Sequence, residues 1–243
     1  MGIDVCGLDF LMRNRKHIEG RKVLELGRQG VHLMEPMGNA LVTEKIFRRY
    51  DKDTPIYPLC RVSHADQDLY AYLGAESVDS MDISSYEGCT ILHDLNNPVP
   101  EELHNKYDTI IEAGTIEHIY DTKMVFDNIK KMLKVGGTFL CLTNANNFVN
   151  HGFYQFSPEL FRTVFSVEAG YLIDSLQLMH VNDDVQGVDV ADNSGTRTPI
   201  RLNGIEWETY LMMVAIKMTE EVITKNFQQS DYITTWGATY DAG

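Results

Sequence analysis

Acidic side chains and glycines stand where several of the predicted strands end. Glu25 and Gly27 close the first clear strand, Asp82 closes the second, and Asp94 follows the third. In an open α/β sheet, ligands bind outside the carboxyl ends of the strands. A glycine there lets the backbone approach a ligand, and a carboxylate can accept hydrogen bonds from both hydroxyls of a ribose. These residues predict a site for a ribose-bearing ligand at one edge of the sheet.

Two histidines are the candidate proton acceptors of a reaction at that edge. His118 follows the fourth predicted strand and His151 follows the fifth. Imidazole and carboxylate groups are well suited to take a proton from a reacting hydroxyl. The alternatives are that His118 packs at a helix start, satisfied by backbone, and that the segment around His151 is an ordinary polar loop. The side chains expected to hydrogen-bond a polar substrate nearby are Glu117, Asn146, Tyr154 and Gln155.

The elements that must position these residues alternate between strand and helix. Apolar runs predict strands at 22–26, 77–82, 89–93, 107–112, 138–143, 171–181 and 209–218. Periodicity and capping residues predict a helix that begins near 30–32, helices over 40–50, 65–73 and 121–133, and a helix from 157 to about 165. This alternation favours a Rossmann-like, doubly wound α/β fold, with a mostly parallel seven-stranded sheet and helices on both faces. We expect one domain over 1–243, with a lid or insertion near 51–64 and a substrate loop near 182–208.

Charge and composition restrict the partners. The net charge of −14 repels phosphate backbones, so we expect a small-molecule or sugar substrate and no nucleic acid. The lysines at 130, 131 and 134 are expected to form a solvated helix face. No window of about 18 apolar residues indicates a membrane span. The four cysteines are scattered, which favours reduced thiols and a cytoplasmic protein. The oligomeric state is left open.

Four segments resemble motifs of class I S-adenosylmethionine-dependent methyltransferases of the small-molecule type. They are residues 23–27, residues 107–111 followed by the Glu117-His118 pair, residues 132–139 and residues 156–161. The resemblance implies S-adenosyl-L-methionine as cofactor. Glu25, Gly27 and Gly30 would contact its methionine part and Asp82 its ribose. Asp94 and Leu95 would lie beside the adenine, and Glu112, Ala113 and Gly114 near the sulfonium.

The chain departs from that family in its first motif and in the length of the link between the first strand and Asp82. Gln29 and Val31 stand where the family usually has glycines, with the nearby glycine displaced to Gly30. Some metal-using members carry a second glutamate three residues before the Glu-His pair, where this chain has Gly114. We therefore expect no metal, although Glu117, His118 and His151 have the side-chain chemistry to bind one.

The leading hypothesis is a methyltransferase that transfers a methyl group to oxygen on a small molecule or sugar. The altered first motif keeps open a catalytically inactive module that retains the fold for binding. A nicotinamide-dependent oxidoreductase is less favoured, because residues 25–30 lack the G-x-G-x-x-G spacing of dinucleotide sites.

Overall fold

A central eight-stranded sheet positions the strand ends that carry the candidate residues. The computed structural model describes residues 2–33, 40–51, 66–180, 187–192, 195–196, 198–202, 208–220 and 227–236. In chain order the elements are β1 (Gly2–Ile3), α1 (Val5–Arg13), β2 (Lys22–Leu26), β3 (Gly30–Val31), α2 (Ala40–Tyr50), α3 (Asp66–Tyr72), β4 (Ser77–Asp82), β5 (Ile91–Leu92), β6 (Tyr107–Ala113), α4 (Thr122–Met132), β7 (Leu133–Asn146), α5 (Pro158–Val164), β8 (Tyr171–His180), β9 (Gly187–Asp189), β10 (Thr209–Lys217) and α6 (Ser230–Trp236).

The strand order of the sheet is β5-β4-β2-β6-β7-β10-β8-β9. From β5 to β7 every neighbouring pair is parallel, and the pairs from β7 to β9 are antiparallel. The predicted mostly parallel α/β sheet is confirmed. The sheet has eight strands rather than the expected seven, because Gly187–Asp189 pairs with the edge of β8 inside the segment predicted to be a loop.

Apolar side chains alternate between the two faces of the central strands. Val23 belongs to one buried cluster with residues of α1, α2 and α3. Leu24 and Leu26 belong to another, with residues of α4 and α5. Strands covered on both faces read as nearly continuous apolar runs, which is why these segments are recognisable in the sequence. In the described part of the chain, no helix has both the length and the apolar character that crossing a membrane requires.

Three sequence predictions of secondary structure are corrected. The helix expected to begin near 30–32 does not begin there, because Gly30–Val31 pairs in parallel with Gly2–Ile3. The strand expected over 89–93 shortens to Ile91–Leu92, whereas the strand expected over 138–143 extends over Leu133–Asn146. The expected lid at 51–64 lies outside the described residues except for Asp51, and the expected loop at 182–208 is described only in part.

The N-terminal helix α1 was not predicted. The Asp4 side chain caps it by accepting a hydrogen bond from Gly7 N. The buried Asp9 carboxylate then pairs with Arg13 on the same helix and with Arg49 on α2, at 2.9 and 3.0 Å. Buried carboxylates require such partners, so this cluster fixes α1 against α2.

Lys130 overturns the expectation of a solvated lysine face. Its side chain is 1% exposed, and its ammonium lies 4.9 Å from the centre of the Phe227 ring. Lys130 Nζ has no hydrogen-bond partner among the described residues. Burial lowers the pKa of Lys130 to about 8, despite the nearby Asp127 carboxylate, which raises it.

Replacing Lys130 by Met should stabilise the protein and flatten its pH dependence. The pKa is about 8 in the folded chain against 10.5 for a free side chain, so the unfolded chain binds more protons between these values. The unfolding free energy of the wild type should therefore rise with pH across that window. At pH 7 Lys130→Met should gain about 1–3 kcal/mol, since contacts with the rings offset part of the desolvation cost.

Urea unfolding at several pH values measures this effect. The control is Lys131→Met, a half-buried neighbour on the same helix, which should leave the pH dependence as in the wild type. Equal pH profiles for the wild type and Lys130→Met would show that the buried ammonium carries no penalty.

Candidate functional site

A cavity of about 260 Å³ opens at the carboxyl ends of the parallel strands β2, β4, β5 and β6. Parallel neighbours end at the same edge of the sheet, so the turns that follow them meet there. Six of the predicted site residues line this one cavity. They are Gly27, Asp82, Asp94, Leu95, Gly114 and His118.

The turn after β2 is interlocked with the turn after β6. Gly27 has φ +71°, and a Cβ on it would lie 2.3 Å from Thr115 Oγ1. That hydroxyl donates to Leu26 O at 2.8 Å and accepts from Gln29 Nε2 at 2.9 Å. Only glycine fits at position 27, because the threonine of the neighbouring turn occupies the space of a side chain.

Gln29 is one of the cavity residues that the sequence analysis did not assign to the site. Its side chain is 2% exposed, and Nε2 also donates to Leu26 O at 2.9 Å. Gln29 Oε1 has no hydrogen-bond partner within the described ranges. The sequence signal is the replacement of a glycine usual in the family, which by itself indicates only an altered motif. In the structure this side chain ties the two turns together.

Asp82 and Asp94 are held by local backbone and amide donors. Asp82 Oδ2 accepts from Arg28 N at 3.1 Å, and Oδ1 accepts from Ser84 N at 2.9 Å. The first bond joins the end of β4 to the glycine turn after β2. Asp94 Oδ1 accepts from Asn96 N at 2.9 Å, and this hydrogen bond lowers the pKa of Asp94. Asp94 is therefore a carboxylate at neutral pH.

Four of the residues predicted to bind the cofactor do not line the cavity. Glu25 is buried on the other face of β2 from Leu24 and Leu26, where it accepts from Tyr70 OH at 3.0 Å. Glu112 Oε1 accepts from the N–H groups of Gly114 and Thr115, both at 2.6 Å, and so shapes a turn that does line it. Ala113 is buried, and Gly30 pairs with Gly2.

The structure brings Glu117, His118 and His151 together. One ligand atom from each lies within 4.8 Å of the others, and the two imidazole centres are 5.2 Å apart. Glu117 is buried and Oε2 accepts from Thr143 Oγ1 at 3.1 Å. Partial desolvation of the ring and the neighbouring His151 lower the pKa of His118. His118 is thus neutral near pH 7 and has a free lone pair to offer to a proton.

Two of the predicted substrate residues line a second cavity of about 510 Å³. Asn146 and Gln155 border it together with residues of α5 and the strand end at Val190. Gln155 Oε1 accepts from Phe148 N at 2.8 Å. Tyr154 lines neither cavity, and its hydroxyl donates to Tyr120 O at 2.8 Å. Of the four predicted substrate residues, two therefore border this cavity, Glu117 lies with the two histidines, and Tyr154 belongs to neither group.

No protein-family model and no curated protein sequence matches the chain. Among solved structures, a candidate methyltransferase from Bacillus halodurans superposes with a TM-score of 0.52 at 14% identity, over 90% of this chain and 100% of that one. The chain has the class I methyltransferase fold.

Two other solved structures match at lower TM-scores. A candidate methyltransferase from Haloferax volcanii, in complex with the activator Trm112, gives 0.49 at 16% identity over 86% of this chain and 87% of that chain. The 1,6-didemethyltoxoflavin-N1-methyltransferase of Burkholderia thailandensis gives 0.48 at 12% identity, over 88% and 78%. Sequence identities this low show a shared fold and no more.

Replacing Gly27 by Ala should damage the interlocked turns beyond the cost of its backbone conformation. A matched control exists in Gly88, which has φ +77° and where a Cβ would meet no described residue within 4 Å apart from its chain neighbours. Gly88→Ala should cost about 1 kcal/mol of unfolding free energy, the penalty of a left-handed alanine. Gly27→Ala adds the collision with Thr115 and should cost more than about 2 kcal/mol. Chemical denaturation measures both, and equal losses would contradict the interlock.

Proposed function

We propose that the chain is an S-adenosylmethionine-dependent methyltransferase that methylates oxygen on a small molecule or sugar. The proposal rests on the observation that Gly27 and Asp82 line the same cavity. Arg28 N, next to Gly27 in the chain, donates a hydrogen bond to Asp82 Oδ2. A nucleoside-bearing ligand requires a backbone turn that it can approach closely and a carboxylate that accepts from its ribose hydroxyls. Here the two stand at neighbouring strand ends. The methyltransferase fold supports the same assignment.

The lining residues suggest how the cofactor would lie. The turns at Gly27 and Gly114 would take the methionine part and the sulfonium. Gln29 Oε1, a buried acceptor in the same wall, suits the ammonium of the methionine part. Asp82 retains a lone pair on each oxygen for the ribose hydroxyls. Asp94 and Leu95 would border the adenine.

The reaction would be an in-line attack on the sulfonium methyl. Bound S-adenosylmethionine would supply an electrophilic methyl group, and as the acceptor oxygen bonded to it the carbon–sulfur bond would break to leave neutral S-adenosylhomocysteine. The acceptor's proton would pass to His118, which lines the cavity and whose lowered pKa keeps it neutral. His151 stands beside it as the second candidate. Most of the rate would come from holding the two reactants in contact and in line.

The acceptor is proposed to be small and polar. A net charge of −14 disfavours nucleic acid. The cavity of about 510 Å³ combines apolar walls with the amides of Asn146 and Gln155 and the charged side chains of Glu159 and Arg162, a lining suited to a small polar molecule. We further propose a cytoplasmic location, in keeping with the scattered cysteines.

Replacing Asp82 by Asn should weaken binding of S-adenosylhomocysteine, measured by isothermal titration calorimetry on the full chain. Loss of a charged hydrogen-bond acceptor costs about 1.5–3 kcal/mol, which corresponds to roughly a 10- to 100-fold weaker affinity. The control is Asp174→Asn, a carboxylate exposed on β8, which should bind as the wild type does. A wild type that fails to bind S-adenosylhomocysteine would eliminate the proposed function.

An acceptor screen then separates an enzyme from a binding module of the same fold. The full chain would be incubated with methyl-labelled cofactor and pools of hydroxylated metabolites or sugars. Transfer of label with one pool, lost in His118→Ala, is the expected result. Tight cofactor binding without transfer to any pool would favour the inactive module.

A further inference from the structure

A buried carboxylate oxygen beside two imidazoles is not explained by the proposed methyl transfer. Glu117 is 0% exposed, and its Oε1 has no hydrogen-bond partner in the part of the chain that the structure describes. Leaving such an oxygen without a partner is costly in a protein interior. Because Thr143 holds the other oxygen at 3.1 Å, the carboxylate is fixed in place.

The loop that carries His151 is clamped to the backbone of Glu117. Phe153 N and Tyr154 N donate to Glu117 O at 2.8 and 3.3 Å. Gly152 passes so close that a Cβ there would lie 2.8 Å from the same oxygen. His118 follows Glu117 in a 3₁₀ turn, in which His118 N donates to Thr115 O at 3.0 Å. All three side chains are thus positioned by one turn and one loop docked on it.

We propose that Glu117, His118 and His151 bind one divalent transition-metal ion of the zinc class. Two imidazoles and one carboxylate are a ligand set that zinc uses in sites with an open coordination position. Their ligand atoms, which lie within 4.8 Å of one another, would have to close to about 3.4 Å around an ion with bonds of about 2.0–2.1 Å. Both imidazoles are exposed, so their rings can make this adjustment, while the buried Glu117 provides the fixed ligand.

The position of this site gives the ion a role at the cavity. His118 also lines the cavity of about 260 Å³, so the ion would stand at its border. An open coordination position there would take an acceptor oxygen and lower its pKa. The ion would then replace the imidazoles in activating the acceptor, because metal bonds occupy the lone pairs that would otherwise accept a proton. The metal site itself does not depend on the proposed methyl transfer.

The test is metal binding by the full chain after removal of bound ions with a chelator. Cobalt(II) and zinc are titrated by calorimetry, and the visible absorption of bound cobalt reports its coordination number. We expect one equivalent to bind to the wild type. His118→Ala and His151→Ala should each weaken binding more than about 100-fold, the upper end of the loss that follows removal of a ligand's hydrogen-bond partner. His32→Ala removes an exposed imidazole outside the cluster and should bind as the wild type.

Thr143→Val tests the carboxylate without removing it. The change frees Glu117 Oε2 from its hydroxyl donor and should weaken metal binding about 10-fold. Metal should raise the melting temperature of the wild type and not that of His151→Ala. Absence of binding by the wild type, or equal binding by His151→Ala, overturns the proposal. S-adenosylhomocysteine titrated into the same metal-free samples separates this failure from failure of the proposed function.

Discussion

The cavity depends on the hydrogen-bonded junction between the turns that follow β2 and β6. Thr115 places its hydroxyl where Gly27 has no side chain, and that hydroxyl bonds to Leu26 O. Gln29 Nε2 completes the junction by donating to both Leu26 O and Thr115 Oγ1. The two strands are parallel neighbours, with Leu26 opposite Glu112, so their ends are already aligned by the sheet. The hydrogen bonds of the junction hold the two turns together as walls of the cavity, so neither turn can shift without the other.

Acidic residues near strand ends perform two different tasks in this fold. Glu25 points to the opposite face of β2 from Leu26, because side chains alternate along a strand, and it stays buried against Tyr70. Glu112 bonds the backbone of the turn that follows it, and burial together with the Glu117 carboxylate raises the pKa of Glu112 to about 8. Asp82 and Asp94, at or beyond the last residue of their strands, reach the cavity. Strand alternation therefore turns Glu25 away from the cavity, whereas Asp82 and Asp94 line it.

The sequence allowed the parallel core and six of the fifteen residues that line the cavity to be predicted, for a physical reason. Strands covered on both faces are apolar runs, and a turn glycine or an aspartate directly after such a run lands at the cavity edge. Three features depend on contacts distant in sequence and were not foreseen. Helix α1 owes its position to Asp9 pairing with Arg49, and the Gly30–Val31 strand exists because Gly2–Ile3 lies beside it. The junction at Gln29 depends on Thr115 of another turn. The closeness of His151 to His118, by contrast, was among the possibilities that the sequence left open, and it is set by Gly152 packing on Glu117.

The strand β10 lies between β7 and β8 although it follows both in the chain. During synthesis on the ribosome, the facing edges of Leu133–Asn146 and Tyr171–His180 are therefore complete before Thr209–Lys217 can fill the gap between them. Open strand edges recruit other strands, and such pairings over long sequence separations form slowly. A nascent chain paused before residue 209 would expose two unfilled edges. Rapid completion or chaperone protection of that late step would govern how much of the protein reaches its native state.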